Sequence, residues 1–161
     1  MSTPPEQSAP LVINGIAELK ERVGQELGVS GWREITQEDV NAFARLTGDH
    51  QWIHVDPERA KDSPFGGTIA HGFLTLSLAP AMAAEIFSVT GVAFGVNYGL
   101  DRVRFPAPLP VGSRVRMRAK LESVEDVPGG VQMLAVYTFE REGGDKPVCV
   151  AESLGRFYES A

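Results

Sequence analysis

The sequence predicts an α+β fold in which a curved antiparallel sheet wraps around one long central helix. Three observations point there. Between Thr68 and Val89 nearly every residue is apolar or small, a run that no other segment matches in length. After Gly91 the texture changes to alternating segments separated by short turns rich in glycine and proline. No internal repeat and no linker separates the two regions, so they are expected to share one core.

The elements follow in order. Met1–Pro10 is polar and proline-rich and is expected to be a disordered tail, with a single domain over residues 11–161. From Val12 to Val23, Ile13, Ile16, Leu19 and Val23 recur every three or four residues, which predicts a short amphipathic helix ended by Gly24. Val29 to Ile35 reads as a brief strand. Thr36 followed by Asp39 has capping-box spacing, and Val40, Phe43, Ala44 and Leu46 give a helical apolar face as far as Gly48. The stretch from Gly48 to Pro57 lacks a helical period and is expected to be a loop, with one helical turn starting at Pro57.

The apolar run from Thr68 to Val89 predicts a helix about 30 Å long, covered nearly all round and kinked at Pro80. Val92 to Phe105 is a long strand with Gly95 and Gly99 as candidate bulges. After a proline-rich loop, Val115, Met117, Ala119 and Leu121 alternate with charged residues, and two more strands follow the Pro128–Gly130 and Gly143–Asp145 turns. Strands joined in this way predict an antiparallel meander with one polar face and one packed face.

Composition narrows the function. A chain of 161 residues with 43% apolar content suits one globular domain, and at this size a second copy can complete an apolar sheet face, so a homodimer is expected. The net charge of −6 leaves no basic patch for nucleic acid. No apolar run reaches the roughly 18 residues needed to span a bilayer, and the N-terminus does not read as a signal peptide, so a cytoplasmic location is expected. The single cysteine, Cys149, lies in an apolar strand-like run and reads as a buried hydrophobe.

All three histidines, at 50, 54 and 71, fall close together in sequence. Asp49 and His54 stand five apart at the end of a helix. A carboxylate and an imidazole aimed into one cleft can activate a water, one group removing a proton and the other handling its return. On spacing alone an equal alternative stands, in which Asp49 caps a turn and His54 is a satisfied polar group. His50, His54, Asp56 and His71 are metal-ligand types, but Gln51-Trp52-Ile53 and Val55-Asp56-Pro57 argue against a helical histidine pair, and no metal is expected. A central helix starting near His71 or Gly72 would present unpaired amides suited to negative charge on a carbonyl oxygen, and Gly72 would admit a close approach. The alternative is that Gly66, Gly67 and Gly72 serve only turn geometry and packing.

Three segments in this order, Gly48-Asp-His-Gln-Trp-Ile-His-Val-Asp-Pro57, Ile69-Ala-His-Gly-Phe-Leu-Thr-Leu76 and Val103-Arg-Phe-Pro-Ala-Pro-Leu-Pro-Val-Gly112, resemble the MaoC-like family of (R)-specific enoyl-CoA hydratases. The likeness is strongest to its single-domain mycobacterial and actinobacterial-type members, and it covers about residues 30 to 158. It implies the hot-dog fold and reversible syn hydration of trans-2-enoyl-CoA to (R)-3-hydroxyacyl-CoA. It implies no cofactor, coenzyme A being part of the substrate. Asp49 and His54 match the family's catalytic pair, and the Gly72 amide matches its oxyanion donor. Gln51, Trp52 and Ile53 become candidate pocket-wall or loop-support residues, and His71 joins them as a candidate substrate-binding residue. Asn97 and Arg104 stay outside the catalytic set. The segment before Thr36 is extra relative to shorter members, and could cap the tunnel or complete a dimer. Two rivals remain: a thioesterase on the same fold, with Glu85 as its carboxylate, and a non-catalytic acyl-CoA binding module.

Overall fold

The computed structural model describes residues 9–160. The expected tail therefore lies outside the described residues except for Ala9 and Pro10, which are exposed. The chain opens with β1 (Leu11–Asn14) and α1 (Gly15–Glu21). The expected helix over Val12 to Val23 is thus strand as far as Asn14 and helix only from Gly15 to Glu21. The Leu-Val-Ile run is β-prone, and it finds a parallel partner in β4 (Phe87–Thr90). Ile13 and Leu19 are completely buried, so this segment packs into the core at the end of the central helix.

Strands β2 (Glu26–Val29) and β3 (Arg33–Glu34) both pair with one neighbour and replace the single expected strand. Between them Ser30 exchanges hydrogen bonds with Met117, its Oγ accepting from the Met117 amide at 2.9 Å. Helix α2 (Gln37–Thr47) starts at the predicted capping box: Thr36 Oγ1 accepts from the Asp39 amide, and the Asp39 carboxylate accepts from the Thr36 amide. Gly48, at φ 84°, closes it in the left-handed conformation. The expected loop after Gly48 contains one helical turn, α3 (Trp52–Val55), and Pro57 begins another, α4 (Pro57–Ala60).

The central helix is α5 (Gly72–Ser77) followed by α6 (Ala79–Ile86). At Leu78 the amide donates to Thr75, three residues back, because Pro80 has no N–H and crowds the preceding turn. The helix is about 22 Å long, shorter than expected. Its overrun in the sequence reading is β4, whose Phe-Ser-Val-Thr run leaves the helix to pair with β1.

Strands β5 (Phe94–Arg104), β6 (Arg114–Val127), β7 (Gly130–Arg141) and β8 (Cys149–Tyr158) complete a six-stranded sheet in the order β2-β6-β7-β8-β5, with β3 also on β6. The β6–β7–β8 meander is as predicted. Gly99 lies at a register shift, whereas Gly95 lies at none. The β6–β7 hairpin turns on Pro128-Gly129, Gly129 at φ 80° supplying the positive dihedral that a type II turn requires.

The connection after β5 departs from a simple meander. β5 is an edge strand separated from β6 by β8 and β7, so Phe105–Ser113 must cross over. Leu109 and Val111 are held in this crossing by backbone bonds, Ala70 donating to Leu109 and Val111 donating to Thr68. That route lays the proline-rich segment over the start of the helix.

On the concave face Val115, Met117, Ala119 and Leu121 are fully buried, as the alternation predicted, and face Leu74, Met82 and Ile86 of the helix within one core. Arg116 and Arg118 on the convex face both pair with Glu140. Cys149 is fully buried, and burial pushes its thiol up to about 11, which leaves it a packing residue. Among the described residues no helix is long and apolar enough to cross a membrane.

The helix is not covered all round. Phe73, Ser77, Pro80, Ala81 and Ala84 form an exposed stripe, beside an edge strand that exposes Phe94, Val96, Tyr98 and Leu100.

Candidate active site

Three short pieces of chain converge at the start of the central helix: the loop leaving α2, the turn α3, and the segment Thr68–Gly72. Gln37, which no sequence signal singled out, ties the last two together. Its side chain donates to the His54 carbonyl at 2.8 Å and accepts from Thr68 Oγ1 at 2.6 Å. The Ile69 amide donates to Ile53, completing the brace.

His54 is 7% exposed. Its Nδ1 lies 2.7 Å from the Ile69 carbonyl, and a carbonyl only accepts, so Nδ1 carries the hydrogen and Nε2 is left with a bare lone pair. Burial holds the imidazole below its ordinary pKa of 6.5, and His71 adds to that shift. The Ile69 hydrogen bond and the Asp49 charge act in the opposite direction. Asp49 is exposed, and its Oδ1 accepts from the Gln51 amide. Functional atoms of Asp49, His54 and His71 all lie within 4.8 Å of one another, so the expected acid–base pair does share one space.

His71 occupies a different place from the one expected of a substrate-binding residue. It is 2% exposed, stacked on His54 with ring centroids 3.9 Å apart and packed against Phe43 on its other side. Nε2 of His71 donates to the Asp49 carbonyl at 3.0 Å, and Nδ1 has no partner. The two imidazole planes are 25° from parallel, so their in-plane lone pairs run side by side and do not converge as two ligands of one ion would.

In front of His54 lies an open cavity of about 310 Å³. Gly72 and Thr75 form its helix side, and Phe105 to Leu109 its roof. Asp49, Gln51, Trp52, Ile53 and His71 are not among its lining residues: of the two places expected for Gln51, Trp52 and Ile53 the structure favours loop support over pocket wall, and Asp49 stands beside the cavity next to His54. Gln51 is exposed, Trp52 stacks under the Arg59 guanidinium at 4.3 Å, and Ile53 acts through its backbone. The roof escaped sequence reasoning because the crossing direction of the Phe105–Ser113 loop depends on sheet order. The ordered prolines were the available signal.

The helix tip behaves as expected. Leu74 and Thr75 amides both donate to the His71 carbonyl, whereas Gly72 and Phe73 amides have no acceptor among the described residues. A side chain at 72 would meet the Phe105 ring at 3.1 Å, so glycine there keeps this wall closed against the helix. Glu85 is elsewhere, thirteen residues down the helix or about 20 Å from its tip, where it accepts from the Gly31 amide. That distance removes the thioesterase carboxylate from the cavity. Arg104 donates to the Val103 carbonyl.

A bare imidazole nitrogen on the cavity wall, a carboxylate within 4.8 Å of a His54 ring nitrogen and the free Gly72 amide on the helix side can move protons on a water and stabilise negative charge on a carbonyl oxygen.

Comparison with known proteins gives a consistent picture. The MaoC like domain family matches residues 18–141. The 3-hydroxyacyl-thioester dehydratase Z of Mycobacterium tuberculosis is 56% identical over 143 residues, covering 88% of this chain and 95% of that protein. Nodulation protein N of Rhizobium leguminosarum bv. viciae is 47% identical over 140 residues, covering 84% and 86%. Among solved structures, the unliganded R-hydratase of Pseudomonas aeruginosa aligns with a TM-score of 0.66 at 26% identity, covering 86% of this chain and 83% of that one.

Proposed function

This chain belongs to the MaoC-like dehydratase family of hydro-lyases, and from that premise we propose that it is an (R)-specific enoyl-CoA hydratase. It adds water reversibly, with syn geometry, across trans-2-enoyl-CoA to give (R)-3-hydroxyacyl-CoA. The observation that carries the reading is the meeting of Asp49 and His54 within 4.8 Å beside a helix tip with unpaired amides.

In the hydration direction a water sits between the Asp49 carboxylate and His54 Nε2. As its oxygen bonds to C3, one proton passes to Nε2 and the electron pair of the double bond moves through C2 onto the thioester oxygen. The Gly72 amide faces that oxygen. The imidazolium then returns its proton to C2 on the same face, so one water is consumed and nothing else is left over. Asp49 holds the water through its second hydrogen. Incubation with crotonyl-CoA tests the reading. Loss of the enoyl-thioester absorbance without free thiol is the expected result. Free thiol would mean hydrolysis, and no change in either would mean a binding module.

His71 is a positioning residue in this scheme, supporting His54 by stacking and Asp49 by its bond to the backbone. His71→Leu removes that bond and is expected to lower kcat about tenfold with little change in KM. His71→Gln, whose amide nitrogen reaches the place of Nε2, is expected to restore most of it. Equal losses in both variants would mean that the bond to Asp49 is immaterial.

The active form is a homodimer. A long edge strand with exposed Phe94, Val96, Tyr98 and Leu100, beside the bare stripe of the helix, is an unfinished surface that a second copy can cover by isologous pairing. Val96→Asp puts a charge in the middle of that edge. Sedimentation is expected to shift from dimer to monomer, with loss of activity. A variant that stays dimeric would place the interface elsewhere.

A further inference from the structure

A second cavity, of about 320 Å³, lies further along the same helix, between α5–α6 and the strands β5, β7 and β8. It begins at Leu76, one turn beyond Gly72, and ends at Ala83, so it spans about 6 to 16 Å along the axis from the helix tip. Its helix side is mostly apolar, made by Leu76, Ala79, Pro80 and Ala83 with Ser77, whose hydroxyl is already engaged with the Leu74 carbonyl. Its sheet side is not: Asn97, Tyr137 and Ser153 face it, and Tyr98 and Leu100 at its rim, with Ser77 and Pro80, belong to the face assigned above to a second copy, which would close its open side.

Tyr137 is the unusual member. It points to the concave side between Ala119 and Ala151, whose small side chains leave it room, and it is 94% buried, being 6% exposed. Among the described residues its hydroxyl has no hydrogen-bond partner, and neither do the side chains of Asn97 and Ser153. The hydroxyl is not sealed in protein either, since among the described residues the one fully enclosed unpartnered side-chain polar atom is His71 Nδ1. It therefore opens on the cavity. Burial alone pushes the phenol up to about 12, with no hydrogen bond contributing. A phenylalanine would fill the same volume with no polar group to satisfy, so the hydroxyl gives the cavity floor a hydrogen-bonding point that an occupant displacing water has to match.

We propose that this cavity receives the distal part of the acyl chain and that Tyr137 selects chains carrying an oxygen there, a hydroxyl or a keto group, over plain alkyl chains. The proposal rests on the acyl-thioester reading above. It adds to that reading a specificity-determining residue outside the acid–base pair. The helix geometry sets where the oxygen belongs. A chain whose thioester lies at the Gly72 amide enters the cavity only beyond its first few carbons, so the selected oxygen is distinct from the one added at C3. A site that bonds a substrate oxygen also rejects the analogue lacking it, because its own polar groups are then left unpaired.

The test separates binding of the tail from turnover. Saturated hexanoyl-, octanoyl- and decanoyl-CoA and their terminally hydroxylated counterparts are titrated calorimetrically into wild type and Tyr137→Phe. In wild type, at the best-fitting length, the hydroxylated thioester is expected to bind about three- to tenfold more tightly than its alkyl partner, the size of one hydrogen bond between neutral groups. In Tyr137→Phe the preference disappears while alkyl binding stays within about twofold. Ser153→Ala, which leaves the tyrosine in place, keeps a preference. Equal affinity for both tails in wild type at every length, an unchanged preference in Tyr137→Phe, or no binding of any thioester would each overturn the proposal. The crotonyl-CoA assay on wild type reports separately on hydration, so loss of tail selectivity with hydration intact sinks only this inference.

Discussion

Asp49→Asn and His54→Ala are each expected to lower kcat for crotonyl-CoA hydration by about 10²–10⁴-fold, the usual contribution of a positioned proton-transfer group. The two differ in what they do to the fold. Asp49 is exposed, and an asparagine still accepts from the Gln51 amide, so thermal stability should stay near wild type. His54 is buried and donates to Ile69, so alanine leaves a carbonyl unpaired at a cost of about 1–3 kcal/mol. His54→Asn resolves the ambiguity. Its amide nitrogen reaches the position of Nδ1 and keeps the Ile69 bond, but nothing replaces Nε2. Turnover in the asparagine variant should fall as far as in the alanine variant while stability recovers. Wild-type turnover in Asp49→Asn or His54→Asn would refute the assignment.

Sequence and structure agree where the physics is local. The capping box at Thr36 and Asp39, the turn at Pro57, the alternation from Val115 to Leu121 and the helix start at Gly72 are short-range signals, and each appears where its residues placed it. The Asp49–His54 pairing was also legible, because a helix end and a short turn leave few ways to aim the two side chains.

What was misread depended on distant partners. Leu11–Asn14 carries an apolar pattern that serves a helix or a strand, and only β4, more than seventy residues later, decides for strand. The same pairing ended the central helix early. The exposed stripe from Phe73 to Ala84 could not be seen from composition, since an apolar run looks identical whether its cover comes from its own chain or from a second copy. His71 looked like a ligand contact because it adjoins Gly72. Its stacking under His54 follows from Phe43 closing the space behind it.

The second large effect is on pH, and its direction follows from burial. Hydration needs His54 Nε2 free of its proton, and burial keeps the pKa of this imidazole below 6.5. The kcat/KM for hydration should therefore remain level as pH falls through 6.5. It should drop only below the depressed value, then by about tenfold per pH unit. Stability moves with the same group. An unfolded His54 takes up its proton near 6.5, whereas the folded one resists until lower pH. Between those two values the unfolded chain binds more protons, and stability falls as pH falls. Above 6.5 the contribution is complete, and once the pH has passed the folded value it is lost. Urea midpoints of wild type and His54→Asn, measured from pH 8 to 5, isolate this step, because the variant cannot titrate there. The wild type should lose stability relative to the variant as the pH drops below about 6.5. An acid limb in kcat/KM that begins above 6.5 would mean that the Ile69 hydrogen bond and the Asp49 charge outweigh burial, and that His54 holds its proton more tightly than a free imidazole.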